Sequence, residues 1–425
     1  MRTLYVILLL LAAPCLLYAK VNYSTYFENS SLRIDYLLGG TDSSAVVFIE
    51  QMKKEPYYGG SHTRLIDEQD YGTYRYRVFD LKSGGLIFLK GFCPLFQEWQ
   101  TTGEAKEMKR SYYQAAVIPF PKNEIRFTIE YRDWEGEYRE LLSLEINPDD
   151  YFILREALPD YEVKELLKNG RPDQKVDVVF LPEGYTRGEM QKFMADAERM
   201  VEILFSAQPF SQHKQDFNIY AVNVPSLQSG TDIPGENIYR NTAFGSTFYT
   251  FDTPRYLTTK EMKPVYDAAA LVPYDHICVL VNSEQYGGGG FYNFLTITTV
   301  DHAKSPEVMV HEFGHGFAGL ADEYYSSAVA YDEFYNKKLE PWEPNITTLV
   351  NFDSKWKDLL DSEMPVPTPR ENKFSKIVGV FEGGGYSDKG IYSPVMDCRM
   401  KSNEAKGFCP VCVRAIEQTI RWHCE

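Results

Sequence analysis

The chain has 425 residues, 44% hydrophobic and 24% charged, a composition that supports a sizeable core in two or three domains of about 100–200 residues each and excludes global disorder. Its formal net charge of −16 makes an acidic surface that repels polyanions, so a nucleic-acid partner is excluded. The first residues read as an export leader. Arg2 gives a positive start, Val6–Leu11 an apolar core, and Ala19 a small residue before a cleavage point at Lys20. Residues 1–19 are therefore expected to be a signal peptide, and the protein to be secreted or extracytoplasmic, free or at the cell surface. The apolar run is shorter than the roughly 20 residues of a spanning helix, so no membrane span is expected. Pro14 before Cys15 argues against a lipid anchor.

Residues 20–160 read as an all-β sandwich. Aromatic and β-branched runs recur at Leu32–Leu38, Ala45–Gln51, Gly72–Phe79, Gly85–Leu89 and Glu124–Tyr131. Turn signals such as Gly39-Gly40 and Ser83-Gly84-Gly85 separate them. Cys93 lies in an apolar run and is expected to be buried there. Asn22, Asn29 and Asn345 begin Asn-X-Ser/Thr sequons, informative only in a host that glycosylates proteins.

A boundary is expected within 147–172, and residues 161–425 then read as an α/β domain. Val176–Leu181, Phe217–Asn223, Ile277–Asn282 and Leu295–Val300 are strand-like. Arg187–Phe205 is helical, with Phe193, Ala197, Met200, Val201 and Leu204 on one face. Glu183-Gly184-Tyr185 follows a strand and reads as a helix entry. Gly287–Gly290 lacks the Lys-Ser/Thr of a phosphate loop and reads as a flexible rim, its backbone open to pairing with an extended substrate.

The chemistry concentrates at His311-Glu312-Phe313-Gly314-His315. On a helix, residues four apart share a face, so both imidazoles can reach one metal ion. Ser305 as N-cap, Pro306 at the first turn, Glu307 near the positive end and Gly319 at the stop all predict a central active-site helix. Only seven His occur in the chain, which makes this spacing improbable by accident. One Zn2+ per chain is expected, held by His311, His315 and a third protein ligand, with a position open for water. Zinc lowers the pKa of that water to about 7, and Glu312 stands where it can act as base and then acid. Asp322 is the preferred third ligand; Glu323 or a distant Glu are the alternatives. Asp301 and His302 read as surface loop rather than supports of the metal, and Tyr324 and Tyr325 as candidate donors to an oxyanion.

The segment His311–Tyr324, HEFGHGFAGLADEY, resembles the IgA peptidase family of bacterial zinc metallopeptidases. So do Val176–Tyr185, Ser226–Asp232, Asn282–Gly290 and Pro394–Met400, and Phe96–Ala105 is similar to the region preceding the family's catalytic part. The resemblance implies a zinc metalloendopeptidase with His311 and His315 as ligands and Glu312 as acid/base. It is looser toward the metzincins, whose glycine and third ligand each fall one residue earlier than Gly319 and Asp322. A metzincin-like arrangement also implies a Met beneath the zinc, with Met400 the first candidate and Met396 the second.

The expected substrate is a protein or peptide, host immunoglobulin-like or mucosal proteins included. The N-terminal domain is a candidate for binding substrate protein or glycan. The rival reading is a catalytically silent extracellular binding module that keeps a zinc site. Cys398, Cys409, Cys412 and Cys424 crowd the last 28 residues and are expected to form one or two disulfides; a zinc knuckle around Cys409-Pro-Val-Cys412 is the alternative.

Overall fold

The computed structural model describes residues 21–325 and 334–425; the signal-peptide reading falls outside them. It opens with a short helix, α1 (Tyr23–Tyr26), and eight strands in two antiparallel-dominated sheets of four. One runs β5-β1-β2-β8 and contains β1 (Phe27–Gly40), β2 (Ala45–Glu55), β5 (Arg110–Pro121) and β8 (Ile153–Leu154). The other runs β4-β3-β6-β7 and contains β3 (Tyr74–Asp80), β4 (Leu86–Phe92), β6 (Ile125–Arg132) and β7 (Tyr138–Ile146). Helix α2 (Leu95–Gln100) lies between β4 and β5. Leu32, Ile34, Tyr36 and Leu38 of β1 are buried in one cluster with Tyr76 and Val78 of β3 and Phe127 and Ile129 of β6. That is the interior of a sandwich, with side chains alternating along each strand.

The alternate residues of β1 are buried too. Arg33 bonds Glu55 at 2.8 Å, Asp35 at 2.8 Å and, far along the chain, Asp267 at 2.7 Å. Asp267 belongs to helix α4 (Met262–Ala269). Thus the outer face of this sheet rests against the second half of the molecule, and a buried Arg forced to find anionic partners fixes the docking.

The second half is built on a six-stranded sheet ordered β15-β16-β14-β10-β11-β9. Its members are β9 (Val163–Leu167), β10 (Val176–Glu183), β11 (Phe217–Val222), β14 (His276–Val281), β15 (Gly288–Phe291) and β16 (Leu295–Thr299). The four central strands are parallel, while β9 and β15 close the edges antiparallel. Every residue of β10, β11, β14 and β16 is buried, as expected of strands covered on both faces. Val178 and Phe180 face helices α3 (Met190–Ser206), α5 (Ser305–Ala318) and α6 (Pro410–Cys424). Val179 and Leu181 belong to the cluster that continues into the β-sandwich. Two short ribbons, β12 (Ser246–Thr247) with β13 (Thr258–Thr259) and β17 (Phe381–Gly384) with β18 (Ser387–Ser393), complete the mixed α+β fold.

The elements expected between 20 and 160 appear, with β5, β7, the short β8 and the helices α1 and α2 in addition. Ala115, Ala116 and Gln114 in β5 and Glu140 and Ser143 in β7 dilute the β-branched signal; pairing of β5 with β1, not local preference, makes the first a strand.

Candidate active site

Helix α5 carries the site because its sequence buries one face and leaves another open. Met309, Phe313 and Phe317 enter the core between α3, α6 and the sheet, while His311, Glu312 and His315 remain half-buried on the opposite side. The helix starts one residue from the expected cap, with Pro306 in its first turn, and stops at Gly319 (φ 63°). That left-handed residue lets Gly319 N–H bond the His315 carbonyl at 3.0 Å and Leu320 N–H bond that of Gly314 at 3.3 Å, reversing the chain toward the imidazoles.

The two His are oriented from behind. His311 Nδ1–H donates to the Arg399 carbonyl at 2.9 Å and His315 Nδ1–H to the Leu320 carbonyl at 2.5 Å. Both Nε2 atoms thereby face the same point, 3.0 Å apart. Asp322 Oδ1 lies 3.1 Å from the first and 3.3 Å from the second. It is buried and has no other hydrogen-bond partner among the described residues. Three donors bound to one tetrahedral ion at about 2.0–2.1 Å would be separated by about 3.3 Å, so this triangle fits a metal. The other oxygen, Oδ2, accepts from Tyr386 Oη at 2.7 Å. Glu323 points away, as alternation along an extended segment requires.

The Asp322 carboxylate and the imidazoles hold a proton between them that a metal ion would displace. Burial disfavours a charged His315, but the Asp322 carboxylate outweighs it and raises the pKa to about 9. Against the same burial, the imidazoles hold Asp322 well below its ordinary range. Burial pushes Glu312 upward, partly offset by His311 and His315, which moves a carboxylate toward the range useful for a general base.

A cleft of about 490 Å³ opens over these groups. The strand β15 forms one wall, Arg255 and Tyr324 stand on another, and Thr73, Cys93 and Gln97 reach in from the N-terminal region. The β-sandwich is thus part of the site.

The model of the IgA Peptidase M64 family matches residues 164–377 and 370–420, and that of the Peptidase M64 N-terminus matches residues 22–143. The chain belongs to the IgA peptidase M64 family. Family membership supports a peptidase that takes protein or peptide substrates. Among curated proteins, none matches the chain. No helix among the described residues is long and apolar enough to cross a membrane.

Several groups that shape this M64 site carry no local sequence signal. Asn345 is fully buried, so its sequon is no surface acceptor. Its amide instead accepts from Ala321 N–H at 2.7 Å and donates to the Ala321 carbonyl at 2.8 Å. Tyr386 sits at the tip of the β17–β18 turn (φ 63°), and Arg255 lies in an irregular segment. Met400, by contrast, is the first Met candidate that the resemblance implies, and it is buried beneath α5, its Sδ 3.0 Å from where a Cβ on Gly314 would stand. Its carbonyl accepts from Glu323 N–H at 2.7 Å. Of the tyrosine pair, Tyr324 lines the cleft while Tyr325 is half-exposed against Gly383.

Other expectations resolve differently. The glycine run is an edge strand rather than a flexible rim, and the Gly288 carbonyl already accepts from Leu257 N–H at 3.4 Å. Cys93 lines the cleft instead of being lost inside the sandwich; burial raises its thiol to about 12, leaving it protonated. Asp301 and His302 do lie in a surface loop as expected, Asp301 pairing with Lys192 at 2.9 Å and His302 accepting from Lys304 N–H at 3.0 Å. Glu183 is a buried brace that accepts from Thr242, Phe244 and Ser246. The expected C-terminal disulfides are not formed: all six described cysteines are free. Cys398 and Cys412 sulfurs stand 3.8 Å apart, against about 2.05 Å for a disulfide, and Cys424 lies apart against the Asp216 carbonyl.

Proposed function

We propose that the protein is a secreted zinc-dependent endopeptidase that hydrolyses peptide bonds of extracellular proteins, host immunoglobulin-like or mucosal proteins among them. The observation that carries this reading is the convergence of His311 Nε2, His315 Nε2 and Asp322 Oδ1 within 3.0–3.3 Å at the floor of the cleft. When bound there, zinc supplies a Lewis acid for the scissile carbonyl and lowers the pKa of a coordinated water to about 7. Glu312, beside the ligands and raised in pKa, takes a proton from the attacking water and returns it to the leaving amine. The Arg399 and Leu320 carbonyls keep both imidazoles in the tautomer whose Nε2 is free. Tyr324 and Arg255, on the wall of the cleft, offer donors to the developing oxyanion. Secretion rests on the leader-like residues 1–19.

The test is cleavage of a mixture of extracellular proteins by the metal-loaded wild type and by Glu312→Ala. We expect chelator-sensitive cleavage in the wild type and its loss in a variant that keeps its metal. A wild type that binds metal at His311 and His315 but cuts nothing would favour the silent binding module. Full activity in Glu312→Ala would overturn the mechanism.

A further inference from the structure

Directly behind the Asp322 segment lies a second cluster that the peptidase mechanism does not use. Glu323 turns away from the cleft into a pocket with Cys398, Cys409 and Cys412. All four are buried, and their ligand atoms lie within 4.8 Å of one another. The Cys398 and Cys412 sulfurs are 3.8 Å apart, and Cys412 Sγ is 3.3 Å from Glu323 Oε1. A tetrahedral ion with metal–sulfur bonds of about 2.3 Å and metal–oxygen bonds of about 2.0 Å separates two sulfurs by about 3.8 Å and a sulfur from an oxygen by about 3.5 Å.

Three further observations point to a ligand. Glu323 Oε1 accepts from Asn345 Nδ2 at 3.1 Å, but Oε2 is buried with no hydrogen-bond partner, a costly arrangement for a carboxylate oxygen. Backbone N–H groups point at sulfur: that of Cys409 at Cys398 Sγ (3.3 Å) and that of Cys412 at Cys409 Sγ (3.5 Å). Such N–H donors support thiolates, as does the N-terminus of α6, where Cys409 is the cap. Finally, three thiols in one pocket are an odd number, so any disulfide among them would strand the third.

We propose that Glu323, Cys398, Cys409 and Cys412 form a second metal site that binds one zinc ion and serves structure. Thiolate-rich donors select zinc over harder divalent ions. Four protein ligands close the coordination shell and leave no position for water, the pattern of a structural site. Its place in the chain gives it a task. Glu323 follows Asp322, and Cys398 precedes the Arg399 and Met400 carbonyls that hold His311 and Glu323 N–H. The ion ties α6, the turn under α5 and the Asp322 segment together from behind, and the protein then carries two zinc ions rather than one. This inference does not depend on the peptidase reading.

The experiment uses the full mature chain in wild-type form and as His311→Ala/His315→Ala, which dismantles only the front site. Zinc is measured by elemental analysis, and zinc-edge X-ray absorption reads the neighbours. We expect two zinc ions in the wild type and one in the double variant. The remaining ion should show sulfur neighbours at about 2.3 Å. Cobalt in the same variant should give thiolate charge-transfer absorption that Cys409→Ser, added to it, removes. Wild-type zinc without sulfur neighbours would overturn the proposal even if the variants failed to fold. So would a folded double variant without metal, or non-reducing mass spectrometry that finds Cys398, Cys409 or Cys412 in a disulfide.

Discussion

The two halves of the cleft floor are held in different ways. His311, Glu312 and His315 come from one helix, spaced by its own hydrogen-bond ladder and anchored by Met309, Phe313 and Phe317 in the core. Asp322 comes from an irregular segment whose every anchor is distant in the chain: Asn345 on Ala321, Gly385 N–H on the Asp322 carbonyl, Met400 on Glu323 and Tyr386 on the carboxylate. A helix tolerates the loss of one contact because its neighbours on the ladder remain. A segment without a ladder has only the distant groups, side chain and backbone, that reach it. The helical half should therefore fail through steric intrusion, and the segment half through deletion of single hydrogen bonds.

The largest effect is expected at Asp322 itself. Asp322→Asn keeps the shape but removes the anionic oxygen that faces both imidazole Nε2 atoms. Metal affinity at the front site should fall by at least the 10–100-fold typical of losing a mere supporting group. Competition with a chelator measures it, and wild-type affinity in this variant would return the third-ligand role to another carboxylate. Next come the anchors. Tyr386→Phe removes one hydroxyl, and Asn345→Ala removes both bonds to Ala321 and the one to Glu323 Oε1. Each should cost about 10–100-fold in metal affinity or in kcat/KM while leaving α5 intact by circular dichroism. If both were silent, the segment would be held by its backbone alone and the comparison would collapse.

This division also explains what could be read from the chain. The helical half is written in residue spacing: His at four apart, an acid beside the first, Pro near the start and Gly at the stop. Asp322 was reachable because Gly319 reverses the chain and leaves it within arm's length. Asn345, Tyr386 and the Arg399 carbonyl lie 24–88 residues from the groups they serve, and Arg255 lies in an irregular segment, where no periodicity marks them. Asn345 even carried a misleading signal, a sequon, because the triplet Asn-Ile-Thr says nothing about burial. The cysteines mislead for the same reason: composition counts thiols but does not report that Glu323, from another segment, lies against Cys398, Cys409 and Cys412.

On the helical side, the sharpest steric test is Gly290. A Cβ there would stand 2.2 Å from the Glu312 carbonyl and 2.9 Å from His315 Cβ. Gly290→Ala must push α5 off the edge strand, and overpacking of this kind costs about 1–3 kcal/mol. Thermal unfolding should register that loss, with a fall in kcat/KM from the displaced Glu312. An unchanged melting temperature together with unchanged activity would mean that β15 yields instead, as a flexible rim would.

The smallest effect at neutral pH, growing only with acid, concerns His276 beneath the same helix. It is 3% exposed and its Nε2 bonds Thr296 Oγ1 at 2.8 Å. Burial, reinforced by Lys90 and His423, pushes its pKa down to about 3. In the unfolded chain an imidazole titrates near about 6.5. The folded state therefore refuses a proton that the unfolded state accepts between these values. The contribution is complete above pH of about 6.5 and is lost progressively as pH falls toward about 3, at up to about 1.4 kcal/mol per unit. Urea unfolding followed against pH should show this slope in the wild type and a flatter curve in His276→Gln, which keeps a polar partner for Thr296 but cannot titrate. The helix should stay intact in both at pH 7. Parallel curves would mean that His276 protonates within the folded protein, and that the floor under α5 is wetter and looser than its packing against Phe313 and Phe317 implies.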